Sequence, residues 1–136
     1  FPIRAPRERV FQAISAPGEI AEWWTERSEG EASVGAEYRL EFGPGFDWRA
    51  RVTRCEPEAT FEIELTEASE DWLGTRVGFQ LALRDDGTWV SFRHSGWPEE
   101  NEHYRVSCMC WAMYLRVLRR WVEHGERVPY GARLDV

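Results

Sequence analysis

The sequence contains no lysine, so all 17 of its basic side chains are arginine. Without lysine, neither a Schiff-base mechanism nor a phosphate loop of the P-loop type can operate. Cysteine is also scarce, with residues only at 55, 108 and 110. Such a small, odd number argues against a disulfide framework and predicts a cytoplasmic location. We expect Cys108 and Cys110 to be small buried hydrophobic residues.

Long apolar runs and basic patches are missing as well. The longest apolar run, Cys108–Leu115, is far too short to cross a membrane. The net charge of −7 and the lack of a basic stripe argue against nucleic acid as a partner. His103 and His124 share no short ligand spacing with another histidine or cysteine, so we predict no metal and no cofactor.

Aromatic side chains, by contrast, make up 14% of the chain and include eight tryptophans. That many large rings either fill a wide core or line a cavity that is partly empty. At 136 residues the chain fits one domain, residues 1–136, with enough surface to bury a sizeable core.

Apolar and polar residues alternate in five segments between about Ser28 and His94, as they do in half-buried strands. The residues expected on the inward face are Tyr38, Leu40 and Phe42; Phe46, Trp48, Ala50 and Val52; Phe61, Ile63 and Leu65; Val77, Phe79, Leu81 and Leu83; and Val90, Phe92 and His94. Mostly charged or polar side chains occupy the other face. The pattern predicts an antiparallel sheet with one face in water.

Three helices are predicted around this sheet. Two short ones begin at Pro6 and near Pro17, because proline suits the first turn of a helix. A long one runs from Glu99 to about His124 and ends before Gly125. The apolar stripe of the long helix is expected to lie on the sheet and comprises Tyr104, Cys108, Trp111, Leu115, Leu118 and Val122.

Alternate turns of an antiparallel meander lie at the same end of the sheet, which predicts where the aromatic loops meet. The loop at 68–74 and the segment at 94–98 should share one end, and they carry Trp72 and Trp97. We expect the first and last long strands to pair, so that the helix ending in Trp24 reaches this end too. Large rings gathered at the mouth of a curved sheet predict a pocket.

Three stretches of the sequence resemble a known family: IRAPRERVFQAISAPGEIAEWW at Ile3–Trp24, HSGW at His94–Trp97 and CWAMYLRVLRRWVEHG at Cys110–Gly125. They are similar to the START-like helix-grip superfamily, and within it to the family named after the C-terminal domain of the activator of the Hsp90 ATPase. The resemblance implies an α+β fold of order β-α-α-β6-α, in which a curved antiparallel sheet wraps around a long C-terminal helix. It also implies varied roles, since many members resemble binders of small hydrophobic ligands, some are aromatase/cyclases, and the namesake is a co-chaperone.

The candidate ligand-binding residues are those expected to face the space between the sheet and the long helix. They are Trp23, Trp24, Phe42, Trp48, Trp72, Phe79, Phe92, His94, Trp97, Cys108 and Trp111. His94 ends an inward face behind Val90 and Phe92, so burial should keep it neutral. We predict that it points into the cavity and orients a ligand without acid–base chemistry. The alternatives are a core histidine satisfied by a neighbour and a general base.

The sequence therefore favours non-covalent binding of a small hydrophobic or aromatic molecule in an internal cavity, without catalysis. One alternative is a protein-interaction module of the Hsp90 co-chaperone type, with a role in stress response and with a chaperone or a second copy of the chain as partner. Another is a cofactor-free cyclase or lyase that uses His94. An acid pointing inward within reach of His94 would favour this last hypothesis, and an exposed apolar patch over a solid core would favour the co-chaperone.

Overall fold

The computed structural model describes residues 1–136 as one antiparallel sheet with three helices on one face. The elements are β1 (Pro2–Ile3), α1 (Arg7–Ser15), α2 (Pro17–Trp23), β2 (Arg27–Glu29), β3 (Glu37–Glu41), β4 (Asp47–Glu56), β5 (Thr60–Glu67), β6 (Arg76–Arg84), β7 (Gly87–Ser95), α3 (Glu102–His124) and a short 3₁₀ turn (Tyr130–Ala132). The predicted helix-grip order, β-α-α-β6-α, is confirmed.

The strands follow the order β1-β7-β6-β5-β4-β3-β2 across the sheet. The predicted pairing of the first and last long strands is wrong, because β7 pairs with the short β1 and the first long strand, β3, lies near the opposite edge. Gly87, at the start of β7, permits the close approach of β1. Its φ is +146°, and a Cβ there would collide with the backbone of Ile3 and Ala5.

Most residues predicted to face inward from the strands are buried, including Tyr38, Leu40 and Ile63. Two of these predictions are wrong, since the side chains of Phe46 and Leu83 are 53% and 75% exposed. Phe46 lies in the turn before β4, and Leu83 lies near the end of β6, beside the turn into β7. The alternation of apolar residues therefore continues past the part of the sheet that is covered.

Strand β4 bends because its pairing with β5 is irregular at two places. The register shifts between Arg49 and Ala50 and again between Val52 and Arg54. Such shifts bend a strand and increase its twist, so they help the sheet to curve around α3.

Helix α3 begins at Glu102 rather than at the predicted Glu99. The side-chain oxygen of Asn101 accepts a hydrogen bond from the Tyr104 backbone N–H at 3.0 Å, which fixes this start, and Gly125 ends the helix with a φ of +64°. Cys108 is exposed, so the prediction that it is buried is wrong; the buried face is centred instead on Ser107, Trp111, Val117 and Leu118. None of the helices has the length and apolarity that a bilayer span requires.

One carboxylate connects all three helices. Glu19, in α2, accepts hydrogen bonds on one oxygen from Arg9 of α1 and from the indole N–H of Trp121 in α3, both at 2.8 Å. The segment after α3 is fastened separately by the buried Arg133. Its guanidinium donates to the carbonyl oxygens of residues 21, 25 and 128, and so it holds the C-terminal segment against the end of α2.

Candidate ligand-binding site

An apolar groove of about 340 Å³ opens between α3, the β3–β4 end of the sheet and the C-terminal segment. We call it the aromatic groove. Its walls are formed by Trp24, Phe42, Phe46, Trp48, Ser69, Trp72, His103, Val106, Ser107, Cys110, Tyr114 and Tyr130. The volume lies at the lower end of the range of about 300–1,000 Å³ that small-molecule sites occupy.

The rings of this groove form a continuous chain of contacts. Phe42 packs against Trp24 at a centroid distance of 5.4 Å and against Trp48 at 5.0 Å. Trp48 contacts Trp72 at 5.1 Å, and Trp72 stacks on Trp111 at 5.9 Å with an interplanar angle of 22°. The predicted convergence of the aromatic loops at the mouth of the long helix is confirmed.

A second groove, of about 280 Å³, lies on the β7 side of α3. We call it the His94 groove, and its walls are Phe92, His94, Trp97, Tyr104, Ser107, Cys108, Trp111, Ala112 and Leu115. The sequence predicts a single internal cavity, but the rings of Trp24, Trp72 and Trp111 occupy the middle of that space. The apolar surface beside α3 is therefore divided into two grooves that open to solvent.

Both ring nitrogens of His94 are bound within the protein. The indole N–H of Trp111 donates to Nδ1 at 2.9 Å, which makes Nδ1 the acceptor and leaves the proton on Nε2. Nε2 then donates to the hydroxyl oxygen of Thr75 at 2.8 Å, and that hydroxyl donates to the backbone carbonyl of Trp72 at 2.6 Å. His94 thus joins α3, β7 and the loop before β6 through one directed series of hydrogen bonds.

Burial lowers the pKa of His94 to about 4, with a smaller contribution from the nearby His103. The imidazole is therefore neutral at physiological pH, in agreement with the sequence argument. Its two partners are uncharged, and Asp71 in the neighbouring loop pairs with His103 Nδ1 at 3.0 Å instead. The acid that the cyclase or lyase hypothesis requires is not among the groups bonded to His94.

The aromatic groove is electrically neutral apart from the Asp71–His103 pair at its edge. No arginine lines it. Burial raises the pKa of the Tyr114 phenol to about 12 and raises the pKa of the Cys110 thiol. Both groups stay protonated near pH 7, so the groove offers rings and neutral hydrogen-bonding groups rather than a charge or a thiolate nucleophile.

The structure distributes the predicted site residues over three places. The aromatic groove contains Trp24, Phe42, Trp48 and Trp72, whereas the His94 groove contains Phe92, His94, Trp97, Cys108 and Trp111. Trp23 and Phe79 line neither groove. Both are buried, and the Trp23 indole N–H donates to the carbonyl oxygen of Ala13.

Several walls of the aromatic groove are absent from the sequence-based set. Cys110, rather than Cys108, faces this groove, because the buried face of α3 is rotated from the predicted one. Tyr130 comes from the segment after α3, where no periodic pattern marks it, and its hydroxyl donates to the carbonyl oxygen of Phe42 at 2.9 Å. No group of three or more histidine, cysteine, aspartate or glutamate side chains is placed to hold a metal ion.

A curved sheet that grips one long helix defines the helix-grip class of folds. The family model described as Activator of Hsp90 ATPase homolog 1-like protein matches residues 4–123, and the chain belongs to this family. No curated protein matches the sequence significantly.

Solved structures agree with this assignment. The solution structure of the Aha1 dimer from Colwellia psychrerythraea is similar, with 29% identity, a TM-score of 0.83 and coverage of 93% of this chain and 94% of that one. A crystallised protein from Mesorhizobium loti has 23% identity, a TM-score of 0.83 and coverage of 93% and 95%. CalU16 from Micromonospora echinospora has 23% identity, a TM-score of 0.72 and coverage of 96% and 75%.

Proposed function

We propose that this protein binds a small, predominantly aromatic molecule non-covalently in the aromatic groove. The observation that carries the proposal is the composition of the groove, in which rings from the C-terminal end of α2 (Trp24), β4, the loop before β6 and the C-terminal segment face one open space. Phe46 and Val106 at its walls are 53% and 47% exposed. A bound ring system would remove this apolar surface from water, which favours binding.

The aromatic groove is a better candidate than the His94 groove. In the His94 groove the imidazole already uses both ring nitrogens, so a ligand could bond to His94 only by displacing Trp111 or Thr75. Displacement would leave a buried group unpaired and would cost free energy that the ligand must recover. The prediction that His94 orients a ligand therefore has less support than binding by the rings around Trp72.

Three consecutive residues of α3 provide the test. Cys108 lines the His94 groove, Met109 is 60% exposed, and Cys110 lines the aromatic groove. Each is replaced by phenylalanine, and calorimetry measures the binding of 2-acetylnaphthalene to each variant. We expect Cys110→Phe to abolish binding because its ring fills the groove, and Met109→Phe, the matched control, to bind as the parent does.

Other outcomes would favour other functions. Binding that survives Cys110→Phe and disappears in Cys108→Phe would place the ligand in the His94 groove. No binding by the parent, together with self-association that Met109→Phe weakens in sedimentation experiments, would favour the protein-interaction hypothesis. Circular dichroism and the thermal midpoint establish that each variant is folded before binding is compared.

A further inference from the structure

Two residues that line the aromatic groove each have a buried polar atom without a hydrogen-bond partner. These atoms are the indole nitrogen Nε1 of Trp72 and the hydroxyl oxygen Oγ of Ser69, and they are the only buried side-chain nitrogen or oxygen atoms without a partner in the chain. Both belong to the loop between β5 and β6, residues 68–75, and both residues line the aromatic groove. Trp72 as a whole is only 8% exposed.

Unpaired buried donors are costly and therefore informative. Each lowers the stability of the folded state relative to a satisfied group, and native structures contain few of them. Three other indoles have partners, since Trp23 donates to Ala13, Trp111 to His94 and Trp121 to Glu19. Trp72 is the one tryptophan whose buried indole nitrogen has no partner, and the residue lies in the wall of the proposed binding site.

Neighbouring protein groups do not supply the missing partner. The hydroxyl of Thr75 is used by His94 and by the backbone of Trp72, while Asp71 pairs with His103. Neither unpaired atom contacts solvent. Because both residues line the aromatic groove, an outward shift of the 68–75 loop would expose these atoms to a molecule bound there.

We infer that the ligand carries, beside its rings, a hydrogen-bond acceptor that Trp72 Nε1 and Ser69 Oγ bind. An indole N–H can only donate, so the ligand atom facing Trp72 must be an acceptor. The serine hydroxyl can donate to the same acceptor or accept from an adjacent hydroxyl of the ligand. This inference rests on the proposed function and specifies the chemistry of the molecule bound.

The acceptor is neutral. The aromatic groove has no arginine, the phenol of Tyr114 is protonated, and His103 already has Asp71 as its partner. A carboxylate would enter this apolar space without a counter-charge, and its desolvation would oppose binding. The ligand class that fits is a flat aromatic ketone, ester, lactone or quinone rather than an aromatic acid or a plain hydrocarbon.

A pair of probes of equal shape tests the inference. 2-Acetylnaphthalene carries a carbonyl oxygen, and 2-isopropenylnaphthalene has a CH₂ group in its place. We expect the ketone to bind about fivefold more tightly than the hydrocarbon, as one neutral hydrogen bond implies. We also expect the indole proton of Trp72, assigned by the signal that Trp72→Phe removes, to move downfield with the ketone alone.

Variants separate recognition of the acceptor from binding by the rings. Trp72→Phe should bind both probes with little preference, because the ring remains and the donor is gone. Ser69→Ala should lower the preference for the ketone, whereas Ser33→Ala, in a turn outside the groove, should leave it unchanged. If Trp72→Phe does not fold, the relative affinity of the parent protein for the two probes and the effect of Ser69→Ala on that preference still decide the question.

Three results would overturn the inference. Equal affinity for the two probes with an unmoved Trp72 indole signal would show that the groove selects rings alone, and the proposed function would stand. Tighter binding of 2-naphthoate than of the ketone would show that the neutral acceptor is wrong. If neither naphthalene probe binds, the proposed function and this inference fall together.

Discussion

Acidification should destabilise the protein through His94, because the folded state holds this imidazole in a form that cannot accept a proton. Protonation at Nδ1 would set an N–H against the indole N–H of Trp111, which now donates to that nitrogen. Nε2 already carries the other proton and donates to Thr75. In the unfolded chain the same histidine titrates with an ordinary pKa of about 6.5.

The direction and size of the effect follow from this difference in pKa. The pKa in the folded state is lowered to about 4, so below pH 6.5 the unfolded chain binds a proton that the folded protein does not. The stabilisation is complete above pH 6.5 and is lost as the pH falls towards 4. The shift is about 2.5 units, or roughly 3 kcal/mol at about 1.36 kcal/mol per unit. Because His94 is only partly buried, we expect about 2–3 kcal/mol.

The assay is urea unfolding of the parent and of His94→Gln at several pH values between 7.5 and 4. Carboxylates also titrate in this window, but they do so in both proteins and cancel in the difference between the two free energies of unfolding. That difference should fall by about 2–3 kcal/mol from pH 7.5 to pH 4. His124→Gln, at the exposed end of α3, provides the baseline for removing a histidine from the unfolded chain.

A flat difference between the two proteins across this range would refute the reasoning. So would a pKa near 6.5 for His94, measured in the folded protein from its ring-proton chemical shifts. Nitrogen chemical shifts of the ring test the tautomer independently, since the hydrogen bonds require the proton on Nε2. A proton on Nδ1 would mean that the series from Trp111 to Thr75 is assigned incorrectly.

Two further predictions, with three substitutions, test the packing of the fold. Trp111→Ala should lower the free energy of unfolding by about 3–5 kcal/mol, because it removes a buried ring that contacts Trp24 and Phe92; a fall in thermal midpoint of less than about 2 °C would contradict this. Gly87→Ala should cost about 2 kcal/mol or more through its positive φ and its collision with β1, whereas Gly18→Ala, in open space on α2, should stabilise by about 0.5–1 kcal/mol. Equal effects of the two glycine variants in chemical denaturation would refute the argument.

The sequence pattern predicts the fold where burial is periodic and misses elements where it is not. Strands β3 to β7 and the three helices show their buried faces as periods of two or about 3.6 residues. Strand β2, Arg27–Glu29, has no such signal, because its side chains are polar and it is only three residues long. Its pairing with β3 is seen only in the structure. The sequence places the start of α3 too early, because the acids at 99 and 100 precede the residue that caps the helix, Asn101.

The site is harder to predict than the fold, because it depends on how elements are rotated against each other. Alternation places His94 on the inward face, but its partners, Thr75 and Trp111, depend on the register of β6 and on the rotation of α3. The same rotation decides that Cys110, and not Cys108, faces the aromatic groove. Tyr130 lies beyond the last periodic segment, and only the tertiary structure brings it to Phe42.

The carboxylate of Glu19 accepts hydrogen bonds from Arg9 and Trp121 on one oxygen, and this contact limits how the proposed binding groove can open. With α1, α2 and α3 joined at one point, the helical side of the aromatic groove behaves as a fixed wall. The groove can then widen only if the 68–75 loop moves, and the contact between Asp71 and His103 holds this loop to α3. Under the proposed function, the fixed wall would contribute mainly to how tightly a ligand is held, and the tether of the loop would limit how fast the ligand enters and leaves.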